Sequence, residues 1–99
     1  MKYKVDIFTQ AKLDLRRIVN YWENVLEVSS NPLIDDYEAA VLKLSDFPLT
    51  HHQPSDPTLK AKGYRICPVR NYYIFYVVED DIVQIHRVLY NKMDFTKLF

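Results

Sequence analysis

The chain has 99 residues, with 13 Lys/Arg balanced by 13 Asp/Glu, and close to half of it is hydrophobic. That length and apolar content describe one domain over residues 1–99 with a single core, and argue against disorder. The neutral balance excludes the strong positive field of a typical nucleic-acid binder, and one cysteine excludes an internal disulfide. No signal peptide or long apolar run is present, so a cytoplasmic protein without membrane contact is expected.

Taken in order, Lys2–Phe8 alternates, with Tyr3, Val5 and Ile7 on one face and Lys2, Lys4 and Asp6 on the other. That is the pattern of a half-buried strand. Thr9 is placed to cap a helix. Ala11, Leu15, Ile18, Trp22 and Val25/Leu26 then recur at spacings of three and four among charged residues, which predicts an amphipathic helix to about Glu27. Val28-Ser29-Ser30 ends it. Asn31-Pro32 signals a second helix, with Asp35 and Asp36 favouring the positive end of its dipole. Its apolar stripe is Leu33, Tyr37, Ala40/Val41 and Leu44, and Phe47-Pro48 stops it. The short turn between the two helices predicts an antiparallel hairpin lying across a sheet.

Residues 50–58 are polar, hold two prolines and show no period, so they read as a surface loop. Three runs rich in β-branched and aromatic residues follow: 59–69, 72–78 and 82–90. The polar breaks Arg70-Asn71 and 79–81 separate them, as in an antiparallel meander. The middle run is apolar on both faces and belongs at the sheet centre. The tail from Asn91 ends apolar at Leu98-Phe99 and is expected to pack on the domain as a short helical turn. The predicted order is strand, helix, helix, strand, strand, strand. It is an α+β fold of one twisted antiparallel sheet with the helical hairpin on one face. The other, concave face is the default place for a site.

Few residues carry obvious chemistry. His51-His52 would need more ligands than Asp56 and His86 supply, and reads as a solvated loop. Cys67, in a strand beside Pro68, reads as a buried inert thiol. A single glycine rules out a Gly-rich phosphate cradle. Arg65 and Arg87 stand out, because an arginine within a strand is costly unless paired or presented to a polar ligand. The two readings are an ion pair with an acid such as Glu23 or Glu38, and presentation to a polar ligand.

The ordered set of motifs resembles the RelE/ParE superfamily over almost the whole chain. The resemblance rests on Thr9-x-Ala11-x-x-Asp14-Leu15-x-x-Ile18-x-x-Tyr21-Trp22, on Leu44-x-x-Phe47-Pro48 and on Gly63-Tyr64-Arg65. It continues through Val69-x-Asn71-Tyr72-Tyr73-Ile74-Phe75-Tyr76 and Val83-x-Ile85-x-Arg87-Val88-Leu89-Tyr90-x-Lys92-x-Asp94. It implies a bacterial growth-inhibiting toxin of a type II toxin–antitoxin module, neutralised by a cognate antitoxin that wraps an extended or helical segment around it. Contact is then expected along the outside of the hairpin and at an exposed sheet edge. A homodimer and a toxin–antitoxin hetero-oligomer are the assemblies it allows.

Two targets occur in the superfamily. RelE-like members cut mRNA on the ribosome by 2′-OH attack. For that chemistry the resemblance implies catalytic roles for Arg65, Lys92 and Tyr90, with His86 as the other proton carrier. Lys60, Lys62 and Arg87 would bind RNA, and neither a cofactor nor a metal is implied. ParE-like members bind DNA gyrase and are not nucleases. The C-terminal segment here carries Phe95, Leu98 and Phe99 where RelE-like members have tyrosine or histidine. Together with the neutral charge, this inclines the expectation toward ParE-like action. The alternatives are an mRNA interferase and a degenerate toxin that only binds its antitoxin.

Overall fold

The structure, a computed structural model, describes residues 2–99. Strand β1 (Lys4–Ile7) leads into helix α1 (Thr9–Asn24) and helix α2 (Asn31–Asp46). A five-residue helix α3 (Pro57–Ala61) precedes β2 (Arg65–Val69), β3 (Tyr72–Glu79) and β4 (Ile82–Tyr90), and a 3₁₀ turn at Phe95–Lys97 closes the chain. The architecture is α+β with a helical hairpin on one face of a four-stranded sheet, as the periodicities predict. No described helix is long and apolar enough to cross a membrane.

The sheet order is β1-β4-β3-β2. The meander β2–β3–β4 is antiparallel, as expected, but β1 joins β4 in parallel, Val5 opposite Val83. The sheet is therefore mixed. A parallel neighbour needs a long crossover, and the two helices and the meander supply it.

The alternating residues point where the sequence placed them. Tyr3, Val5 and Ile7 pack under the hairpin with Ala11, Leu33, Tyr37 and Leu44, against Ile74, Tyr76, Val83 and Ile85 of the sheet. Leu44 and Ile85 are fully buried, and burial of such a side chain stabilises by about 1.5–3 kcal/mol. The hairpin differs from expectation at its ends. Thr9 lies inside α1, and the Phe8 carbonyl accepts from Lys12 N instead. Helix α1 stops at Asn24 because Glu27 turns left-handed (φ 56°) and Val28 N returns to the Trp22 carbonyl.

The opposite face is not the open concavity expected. Leu59, Tyr64, Phe75 and Leu89 form a second small core there, with Ile66, Tyr73, Phe95 and Phe99 packed against it. The tail thus docks as a turn, and α3 replaces the first part of the run read as a strand. Asp56 caps α3 by accepting from Leu59 N at 3.0 Å, with Pro57 at its first position.

Both sheet edges are partly closed. On β2, Ile66 N–H donates to the His52 carbonyl at 3.1 Å, and Pro68 has no N–H. On β1, Tyr3 N–H donates to the Ser45 carbonyl at 2.8 Å while the Ser45 hydroxyl donates to Tyr3 O.

Candidate functional site

Arg65 opens β2 and is half-buried. Its Nη1 donates to the His51 carbonyl at 2.7 Å and reaches the Leu49 carbonyl at 3.5 Å. Its cross-strand neighbour Tyr76 donates its hydroxyl to the Pro48 carbonyl at 2.6 Å. The pair grips the turn that follows α2, with Arg65 Nη1 engaged by backbone carbonyls there.

Arg87 is an ion-pair residue, but its partner is Asp14 rather than Glu23 or Glu38. Nε and Nη2 donate to the two Asp14 oxygens at 2.7 and 3.0 Å, and Val88 N–H donates to the same carboxylate at 3.0 Å. Asp14 is buried on α1, so this charge is paired and held largely inside the fold. The irregular register between Phe75 and Tyr76 falls opposite this point and leaves His86 as the extra residue of β4.

The remaining candidates lie apart. Lys60 is exposed on α3, and Lys62 in the turn after it. Tyr90 ends β4, 43% exposed, with its ring edge-on to Tyr72 at 6.2 Å, and Lys92 lies in the exposed turn beyond. Arg65 pairs with Tyr76 while Tyr90 pairs with Tyr72. Four residues along β3 and two strand spacings across put their backbones about 16 Å apart. Arg65 and Tyr90 therefore start from separate parts of the sheet.

The structure does assemble one polar group that the sequence showed only as separate residues. The Tyr64 hydroxyl lies 3.0 Å from His86 Nδ1, and His86 Nε2 lies 3.3 Å from Gln84 Oε1. Phe8 stacks on the imidazole at 4.3 Å, and Phe99 closes on Tyr64 at 4.8 Å. Burial pushes the His86 pKa down, opposed by the Asp6 carboxylate, and burial pushes the Tyr64 phenol up, opposed by Arg87. A neutral imidazole that accepts from Tyr64 and donates to Gln84 satisfies all three groups. The hydrogen bonds tie the turn before β2 to β4, and the Phe8 and Phe99 rings pack against the cluster.

His51 is half-buried, edge-on to Tyr76, and its pKa is pushed down by burial and by His52. No group of three or more His, Cys, Asp or Glu side chains suited to a metal occurs among the described residues. Cys67 is buried, as expected, and its burial pushes the thiol up to about 11.

A family model described as the ParE toxin of the type II toxin-antitoxin system, parDE, matches residues 5–95. Among solved structures, the RelBE2 toxin–antitoxin complex of Mycobacterium tuberculosis contains a chain 25% identical with a TM-score of 0.65, covering 91% of this chain and 99% of that one. The chromosomal ParDE system of P. aeruginosa gives 16% identity and a TM-score of 0.62 over 90% and 96% of the two chains. A copper-bound mutant toxin from Helicobacter pylori gives 15% identity and a TM-score of 0.57 over 98% and 99%. No curated protein sequence matches the chain.

Proposed function

The chain belongs to the ParE toxin family of type II toxin–antitoxin systems, and from that premise we propose that it arrests growth by binding DNA gyrase rather than by cutting RNA. A cognate antitoxin neutralises it. What supports action by binding is the fate of the two strand arginines. Arg87 is locked bidentately to Asp14, Arg65 is tied to backbone carbonyls, and Tyr90 lies on another part of the sheet. A phosphoryl-transfer site needs free cations and a proton carrier converging on one phosphate.

The test is induction of the chain without antitoxin, followed by primer extension on cellular mRNA. Growth arrest with intact message, retained in Arg65→Ala, is the expected outcome. Cuts within translated frames that vanish in a folded Arg65→Ala variant would overturn it.

A RelE-like ribonuclease is the second reading, favoured by the likeness to the RelBE2 toxin and by the Tyr64–His86 pair as a proton carrier. Under it, His86→Gln removes mRNA cutting while the protein stays folded.

A further inference from the structure

Between α2 and the outer strand β2 lies a cleft of about 360 Å³, within the size range of small-molecule sites. Helix α2 lines it with Asp36, Ala39, Ala40 and Lys43. Spacings of four and three put Asp36, Ala40 and Lys43 in one row along the helix. Seven residues at about 1.5 Å each set the two charged ends roughly 10 Å apart along that row. The alanines between them are small, so the wall is recessed there. Facing it are Cys67 and Pro68 of β2, with His51 toward the start of that strand and Arg70 at its end.

The two ends differ in charge. Among the described residues Lys43 has no hydrogen-bond or ion-pair partner, and the His51 ring makes no hydrogen bond. The Lys43 ammonium acts on the Cys67 thiol against the upward push of burial, so this cation leans over β2. An uncharged His51 still donates one N–H. At the other end Arg70 Nε donates to Asp36 Oδ2 at 2.7 Å. The Arg70 Nη groups and Asp36 Oδ1 stay unbonded among the described residues, a donor beside an acceptor. Arg70 is also left-handed, with φ 53°, a conformation ordinarily left to glycine, asparagine and aspartate. Strain of this kind clusters at ligand clamps. We propose that the cleft binds a small organic phosphate, its phosphate held by Lys43 and His51 and a planar donor–acceptor edge held by Asp36 and Arg70. A nucleoside monophosphate carries those two groups at its opposite ends, with a sugar between them to lie along Ala40 and Pro68. Lysine suits the head as a compact point charge, and the guanidinium fork suits the planar edge.

Isothermal titration calorimetry on the full chain tests this with AMP, ribose 5-phosphate and adenosine as probes. AMP should bind saturably, ribose 5-phosphate more weakly, and adenosine without a saturable heat. Lys43→Ala should weaken AMP about tenfold, the loss of one charge-assisted contact. Asp36→Ala should bring AMP down to the level of ribose 5-phosphate. Both positions are exposed, and far-UV circular dichroism verifies that the variants stay folded. The site is wrong if AMP gives no saturable heat, or if adenosine or ribose 5-phosphate matches it. It is equally wrong if either variant binds AMP as the parent does. Lys60 stands on α3, whose Leu59 belongs to the core on the other face of the sheet. Loss of AMP binding in Lys60→Ala, with Lys43→Ala unaffected, would put the phosphate on that face and overturn the proposal. Growth arrest by the intact chain would survive each of those results, so failure here is distinct from failure of the toxin reading.

Discussion

Asp14 is the residue on which most of the charge inside the domain converges. Its two oxygens accept from Arg87, from Val88 N–H and from Gln10 Nε2. Removing one partner of a buried pair leaves the other charge uncompensated, so Asp14→Ala should cost about 3–5 kcal/mol. The Arg70–Asp36 pair is about half exposed, and Asp36→Ala should cost under about 1 kcal/mol. Urea midpoints of the two variants measure the contrast. His86 adds a pH dependence. Its pKa is lowered in the folded state, mainly by burial, so the folded protein favours the neutral imidazole. That contribution is complete above the ordinary histidine value of 6.5 and is lost as pH falls below it toward the folded value. The urea midpoint should drop between neutral and mildly acidic pH, and His86→Gln should flatten the drop. His51 shifts in the same direction, so a smaller slope should persist in that variant. A His86→Gln protein with an unchanged slope would remove His86 from this account.

At the scale of elements, the tail acts as a second cover for the sheet. Phe75 is fully buried, with Phe95 and Phe99 rings 4.8 and 5.0 Å away. Replacing both tail rings by alanine should cost about 2–4 kcal/mol, below the figure for two fully buried rings because both remain partly accessible. Thermal unfolding checks the loss. The periodic elements were legible because their apolar residues repeat on one face: Tyr3/Val5/Ile7 and Leu33/Tyr37/Leu44 needed no tertiary information. Helix α3 was not, although Asp56-Pro57 is the same kind of signal as Asn31-Pro32. Five residues are too few to show a helical period. The parallel pairing of β1 with β4 was equally hidden, because alternation specifies a face and leaves the neighbouring strand open. The partner of Arg87 was out of reach as well, since Asp14 lies 73 residues away.

At the scale of the molecule, the neutral charge and the engaged arginines agree. Affinity for ribosomal RNA comes largely from neutralising phosphates. Here Arg65, Arg70 and Arg87 are each engaged within the fold, while Lys60, Lys62 and Lys92 remain exposed on its surface. The family was readable from motif order, but the fate of the site residues was not. A strand arginine reads the same in sequence whether it faces a phosphate or a buried aspartate. The measurement that goes most directly to action by binding is supercoiling of relaxed plasmid by DNA gyrase with the purified chain added. Inhibition that rises with toxin concentration, and is undiminished in Arg65→Ala, is the predicted result. Unimpaired supercoiling at concentrations where the same preparation cuts ribosome-bound mRNA would contradict it.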